Sequence, residues 1–273
     1  MAAPTHGLQH GLTAGPEPIA YTLEGPPGAP VVMLSNSLGT TLDMWQQQAA
    51  ALATRYRVLR YDTRGHGATA AANADQHGVA GGATLDQLGA DVLRLLDSLA
   101  IDRVRFCGIS MGGLIGLWLA IHAPGRVQAL VVANSAARIG NAQGWTDRAN
   151  FVEAEGMDAV ADGAPGRWFG GAFRAQAPQV VARHVEALRM CPPAGYAACC
   201  RALAEADLRG QLARITAPTL LIAGLCDEVT TPADARFMLD HIAHASYAGI
   251  EAAHLSNLEA PQQFTDLLLA FLQ

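Results

Sequence analysis

Short apolar runs rich in β-branched residues alternate along this chain with longer stretches in which apolar residues recur at helical spacing. The short runs Ile19–Leu23, Val31–Ser35, Arg57–Tyr61, Arg103–Cys107, Val127–Ala133, Thr219–Ala223 and Ala245–Gly249 read as strands, several bounded by Gly, Pro or Asn. Thr84–Ala100 carries Leu85, Leu88, Val92, Leu95, Leu96 and Leu99 on one helical face, with Thr84 in the position of an N-cap. Met111–His122 is apolar on nearly every face and stops before Pro124, so it belongs deep against a sheet. Strands alternating with helices predict an α/β fold: a mostly parallel sheet flanked by helices.

From about residue 136 to 208 the strand rhythm gives way to helical segments such as Thr146–Glu155 and Pro178–Met190, punctuated by Trp, Arg and Gly. The strand pattern resumes at Ala217–Ala223. This predicts a core built from residues 1–135 and 209–273, interrupted by a helical cap at 136–208. There is no internal repeat, and the nearest approach to low complexity is the Ala/Gly-rich loop Ala68–Ala83.

Composition removes several classes of function. With 273 residues, 51% hydrophobic and 15% charged, the chain can bury a large core and does not read as disordered. It has no apolar run long enough for a membrane span. A net charge of −6, from 18 basic and 24 acidic residues, argues against a nucleic-acid binder. The N-terminus has no basic stretch followed by an apolar one, as a secretory signal would, and the expected compartment is cytoplasmic. The five cysteines, Cys107, Cys191, Cys199, Cys200 and Cys226, have no zinc-ribbon or CxxC spacing and are expected as free thiols. A metal site from Cys191, Cys199, Cys200 and His184 is weighed and set aside on spacing.

The candidate chemistry gathers at Gly108-Ile109-Ser110-Met111-Gly112, between an apolar strand and an apolar helix. In that context G-x-S-x-G makes a sharp turn that lifts the serine hydroxyl above the sheet, and the glycines avoid clashes on either side. Ser110 would stand at a helix N-terminus, where the Met111 N–H can donate to a developing oxyanion. A hydroxyl is a weak nucleophile at neutral pH, so a base must take its proton and an acid must orient that base. Both should follow late strands, in the order acid then histidine. Asp227 follows Thr219–Ala223 and His254 follows Ala245–Gly249. Glu228 and Asp207 are the rivals for the acid. Among the other histidines, His6 and His10 lie in the N-terminal tail, and His122, His184 and His241 sit on helical patterns and are expected at the surface or the core edge. His66 follows a strand but precedes the serine, and is read as stabilising its own turn. A second oxyanion donor should come from the loop Ser35-Asn36-Ser37-Leu38-Gly39, with the Ser37 N–H preferred and Leu38 the alternative. The side chains of Ser35 and Asn36 read as local turn formers.

This succession of strand–loop, DxRGHG, GxSxG, GxxD and late histidine resembles the α/β-hydrolase superfamily over nearly the whole chain. More narrowly, LSNSLGTTLDMW, RYDTRGHGAT, GISMGGLIGLWLA and ANSAARIG are similar to the 3-oxoadipate enol-lactone hydrolases of aromatic catabolism. LSNSLGTTLDMW is the most telling, because Ser35-Asn36 stands where most α/β-hydrolases carry His-Gly. The resemblance implies a serine lactonase that needs no cofactor and acts on a small lactone bearing a carboxylate. An acidic protein must then supply a local cation. Arg138 is the first candidate, with Arg148 and Arg64 behind it, and Trp145 as an apolar wall. A general carboxylesterase or a related cofactor-free hydrolase could use the same residues, and a non-catalytic ligand sensor is the reading from a different class. A haloalkane dehalogenase would need a carboxylate in place of Ser110. A nucleotide site would need G-x-G-x-x-G or a Gly-Lys pair, which the Gly108–Gly116 stretch lacks.

Overall fold

The alternating runs assemble into one eight-stranded sheet in the computed structural model, which describes residues 7–73 and 83–273. The strands are β1 (Gln9–Leu12), β2 (Ala20–Glu24), β3 (Val31–Ser35), β4 (Arg57–Tyr61), β5 (Val104–Ile109), β6 (Val127–Ala133), β7 (Thr219–Gly224) and β8 (Ala245–Ile250). Their spatial order is β1-β2-β4-β3-β5-β6-β7-β8. β1 and β2 run antiparallel to their neighbours, while every pairing from β4 to β8 is parallel. The central parallel strands β3, β5 and β7 are buried nearly throughout, which is why they appear in the sequence as mostly apolar runs rather than alternating ones, whereas β8 at the edge is only partly buried.

The helices in chain order are α1 (Gln46–Leu52), α2 (Gly67–Ala72), α3 (Leu85–Ser98), α4 (Met111–His122), α5 (Ala142–Glu155), α6 (Asp158–Asp162), α7 (Ala164–Trp168), α8 (Gly171–Gln176), α9 (Pro178–Arg189), α10 (Pro193–Glu205), α11 (Pro232–His241), α12 (Ser256–Glu259) and α13 (Pro261–Phe271). Thr84 caps α3 in a reciprocal box, its side chain accepting the Gln87 N–H while Gln87 accepts the Thr84 N–H. The fully apolar α4 is buried from Met111 to Ile121 and packs on β5, β6 and β3, with α3 covering its other side. Trp118 of α4 lies over Gly89 of α3 and donates its indole N–H to Asp86 at 2.6 Å, joining the two helices. Between β6 and β7 stand α5 to α10 and no strand, with α5 packed along α10.

Three features differ from the sequence reading. Gln9–Leu12 forms an edge strand where only a tail was expected, because it borrows its hydrogen bonds from β2 rather than from any apolar pattern of its own. The start of the expected loop Ala68–Ala83 is helical, as a run of alanines favours. Its residues 74–82, and His6 of the N-terminal tail, lie outside the described residues. His184, expected at a surface or core edge, is buried on α9.

Candidate active site

The parallel strands β5, β7 and β8, with β6 between the first two, bring the candidate residues together at their C-terminal ends. β5 runs into Gly108-Ile109-Ser110 and turns at once into α4. A Cβ on Gly108 would lie 2.1 Å from the Gly112 carbonyl oxygen, and one on Gly112 would lie 2.3 Å from that of Ser35. Only glycine permits a turn this tight. Ser110 itself sits at φ 55°, ψ −119°, a conformation held at a cost of about 1–3 kcal/mol. Its surroundings enforce it: the Ser110 N–H donates to Ala133 O at 3.0 Å, and Ser135 Oγ donates to Ser110 O at 2.7 Å.

The Ser110 hydroxyl meets His254 Nε2 at 2.9 Å, and His254 Nδ1 meets Asp227 Oδ2 at 2.8 Å. All three residues are buried. Asp227 follows β7 and is held by five donors. Its Oδ1 accepts the N–H groups of Val229 and Thr230, and its Oδ2 accepts Thr230 Oγ and Asn134 Nδ2 as well as the imidazole. Burial works to raise the carboxyl pKa, but the hydrogen bond and charge of His254, with the donors of Asn134 and Thr230, hold it below the ordinary carboxylate range. An ionised Asp227 fixes the proton on His254 Nδ1 and leaves Nε2 free to accept from Ser110. The rivals Glu228 and Asp207 make no contact with His254, and Asp207 pairs with Arg209 instead.

Asn134 was not singled out in the sequence. It leaves β6 at φ 41°, donates to Asp227 Oδ2 and to Ala253 O at 3.0 Å each, and accepts from Ser256 Oγ. It therefore ties together the loops carrying the acid and the histidine. The signal available in the sequence was an Asn directly after a strand, the residue that most readily adopts positive φ after glycine.

Facing Ser110 is the loop after β3. Thr40 closes a turn on Ser37, its N–H and Oγ both donating to Ser37 O at 3.2 and 2.8 Å, and Gly39 within that turn has φ 79°. The Gly39 N–H donates to His66 Nε2 at 3.0 Å, and the Leu42 N–H to Asp62 Oδ1 at 2.8 Å. Among the described residues the N–H groups of Ser37 and Leu38 have no acceptor. Met111, the first residue of α4, has no helical acceptor for its own N–H. Ser35 and Asn36 do more than form a turn. Ser35 Oγ bonds Tyr61 Oη at 2.8 Å, while Asn36 donates to Tyr61 O at 2.8 Å and accepts Trp45 Nε1 at 3.0 Å.

The helical segment lies over this loop. A Cβ on Gly39 would strike Leu188 of α9 and press on Tyr196 of α10. Gly195 of α10 packs backbone to backbone on Gly65, and the thiols of Cys191 and Cys199 point at Gly65 O and Arg64 O, each at 3.6 Å. Among the described residues no group of three or more His, Cys, Asp and Glu side chains is placed to hold a metal. No helix among them is long and apolar enough to cross a membrane.

Of the proposed substrate contacts, Trp145 donates its indole N–H to Ile139 O at 2.6 Å, and Arg138 pairs with Asp207 at 3.6 Å. Arg64 is committed to Asp91 by two hydrogen bonds of 2.8 Å. Arg148 stacks over the Trp145 ring at 5.4 Å and has no carboxylate partner among the described residues.

Comparison with known proteins agrees with this fold. The family described as the alpha/beta hydrolase fold matches residues 30–261. The chain is 46% identical over 270 residues to 3-oxoadipate enol-lactonase 2 of Acinetobacter baylyi, covering 99% of this chain and 98% of that protein. It is 45% identical to 3-oxoadipate enol-lactonase 1 of the same organism, with 93% of each chain covered. The crystal structure of the enol-lactonase from Burkholderia xenovorans LB400 superposes with a TM-score of 0.87 at 41% identity, covering 93% of this chain and 96% of that one.

Proposed function

The chain belongs to the α/β-hydrolase family, and we propose that it hydrolyses 3-oxoadipate enol-lactone to 3-oxoadipate in aromatic catabolism, through a serine ester intermediate. The observation that carries this reading is the unbroken hydrogen-bonded relay from Ser110 through His254 to Asp227, at 2.9 and 2.8 Å, in a chain so similar to enol-lactonases. His254 Nε2 takes the proton as Ser110 Oγ attacks the lactone carbonyl. The tetrahedral oxyanion forms against the N–H groups of Met111 and Ser37, each such donor contributing about 2.7–4 kcal/mol. Collapse breaks the ring C–O bond. The enolate leaving group accepts a proton that began on Ser110 and tautomerises to a ketone. Water, deprotonated by His254, then attacks the acyl-enzyme and releases the second carboxylate. The imidazole passes the water's proton back to Ser110 Oγ as the acyl-oxygen bond breaks, and the released enol takes its carbon proton from solvent as it loses its hydroxyl proton; in this reading the reaction uses no cofactor.

The substrate's own carboxylate needs a cation. Arg138, first in line from the sequence, has Asp207 beside it. Arg148 is the stronger claim. Its guanidinium lies on Trp145, its charge acts on the Tyr196 phenol, and Tyr196 rests on Gly39 of the oxyanion turn. Arg167 stands nearby, its pKa lowered by burial and by the charge of Arg148. Two guanidinium groups close together, neither with a carboxylate partner among the described residues, favour an anion between them. In this reading residues 136–208 act as a cap that supplies substrate contacts to a core at 1–135 and 209–273. The reaction is placed in the cytoplasm, where the unpaired thiols would stay reduced.

The test is a substrate panel with wild type, Ser110→Ala, Arg138→Ala and Arg148→Ala. Ser110→Ala should abolish hydrolysis of the enol-lactone. Arg148→Ala should raise KM for the carboxylated lactone at least tenfold while leaving a neutral aryl ester nearly unaffected. Faster turnover of uncharged esters than of the enol-lactone by wild type would favour the general carboxylesterase.

A further inference from the structure

His66 lies outside the catalytic relay, yet it is buried against the loop that faces Ser110. Its two ring nitrogens have different partners. Nε2 lies 3.0 Å from the Gly39 nitrogen, whose N–H can only donate, so Nε2 must accept. Nδ1 lies 3.1 Å from Arg64 O, which can only accept, so Nδ1 carries the proton. The two contacts therefore specify one neutral tautomer. Burial favours that same neutral form by pushing the imidazole pKa below its ordinary value.

We propose that His66 is a positioning residue for the oxyanion hole: its Nε2 lone pair holds the Gly39 N–H, and so fixes the Ser37–Thr40 turn in the orientation that leaves the Ser37 N–H facing Ser110. The inference rests on the lactonase reading for the identity of the loop as oxyanion donor. Its physical basis is the accounting of donors. Ser37 O is taken by Thr40, Gly39 N–H by His66 and Leu42 N–H by Asp62, which leaves the Ser37 and Leu38 N–H groups as the free donors of this turn. Without an acceptor at Nε2 the Gly39 N–H would be buried and unpaired, and the peptide plane next to the free donors would rotate to find a partner. Leu188 and Tyr196 press on Gly39 from the cap side, and the His66 ring lies 6.4 Å from that of Tyr196, so packing and the His66 hydrogen bond converge on one turn.

The experiment compares His66→Gln, His66→Asn and His66→Phe. The Gln side chain carries its amide oxygen the same number of bonds from Cβ as Nε2, so it can accept the Gly39 N–H. Asn can reach only the Arg64 side, and Phe keeps the ring without either polar atom. His66→Gln should retain most of the wild-type kcat, whereas His66→Asn and His66→Phe should lose about 10- to 100-fold, with KM within about twofold. Affinity for a boronic acid, whose adduct with Ser110 places an oxygen in the oxyanion position, should fall in parallel, while affinity for the carboxylate product should not. Boronate binding needs no turnover, so it reports on His66 even if the enol-lactone is not the substrate. That failure would appear separately, as wild type inert on the lactone. Equal kcat for the Gln and Asn variants, or losses that follow melting temperature and product binding instead of boronate affinity, would overturn the proposal.

Discussion

Asn134 offers a way to separate the backbone's part in the active site from that of the side chain. Asn134→Ala removes the donor to the ionised Asp227 carboxylate, a class of hydrogen bond contributing about 1.5–3 kcal/mol. It also leaves Ala253 O and Ser256 Oγ without their partner. In addition it places a Cβ-bearing residue with no stabilising amide at φ 41°, at a further cost of about 1 kcal/mol. The sum predicts a loss of roughly 3–5 kcal/mol in unfolding free energy, measured by urea denaturation. Asn134→Gly removes the same hydrogen bonds but tolerates the positive φ, so it should be more stable than the alanine variant by about 1 kcal/mol. Activity should not follow that difference. In the proposed mechanism catalysis depends on the carboxylate being held in line with His254, and both variants lose that restraint equally. We expect kcat to drop about tenfold in each, equivalent to about 1.4 kcal/mol of the lost bond appearing in the transition state. Wild-type kcat in Asn134→Ala, or kcat restored in Asn134→Gly, would refute the assignment of Asn134 as the tie between the acid and histidine loops.

Two further outcomes follow from the packing of the helical segment. Gly195→Ala would place a Cβ 2.3 Å from Gly65 O, a backbone atom that cannot turn aside, so α10 must retreat. It should destabilise by about 1–3 kcal/mol and raise KM, whereas Gly210→Ala, with nothing within 4 Å of its Cβ, should be near neutral; equal behaviour of the two in thermal melts would count against this docking. His184 is pushed down from 6.5 to about 4 by burial and then by the charge of Arg183, so the unfolded chain binds more protons between those values. Its contribution is fully present above pH 6.5 and is lost as the pH falls towards 4, about 2–3 kcal/mol by pH 4.5. Unfolding titrations of His184→Leu should show a correspondingly flatter acid limb, and an unchanged limb would refute the claim.

The parts of the molecule legible in the sequence are those fixed by local pattern. Val31–Ser35, Arg57–Tyr61 and Val127–Ala133 form strands with the expected bounds, because a buried parallel strand is mostly apolar and each of these runs is followed directly by a polar residue, Asn36, Asp62 or Asn134. The meeting of Ser110, Asp227 and His254 was legible because a serine at a strand-to-helix glycine turn, read as a nucleophile, demands partners after later strands, and few residues meet that order. Residues whose role depends on long-range contact were not. Asn134 reaches Asp227 across 93 positions and Ala253 across 119, and no periodicity encodes that. His66 was read as serving its own turn. That is half of its role, since Nδ1 does bond Arg64 O while Nε2 reaches back 27 residues to Gly39. Arg138 looked well placed by its position after β6, but the ion pair with Asp207 depends on where the chain returns at the other end of the helical segment.

The contact between Gly65 and Gly195 bears on how this scaffold could be re-engineered. Substrate scope in such enzymes invites transplanting the helices wholesale from one relative to another, as if they were an interchangeable module. Here the module ends in a bare-backbone seat on the Arg64-Gly65-His66 turn, with Leu188 and Tyr196 resting on Gly39. A transplanted segment with any side chain at position 195, or a bulkier pair at 188 and 196, would displace the turn proposed to receive the oxyanion. The graft would then lose rate on every ester, including those its new pocket was chosen to admit. A workable chimera must therefore carry residues 37–42 and 62–67 together with the helices, so the smallest exchangeable unit is discontinuous in sequence.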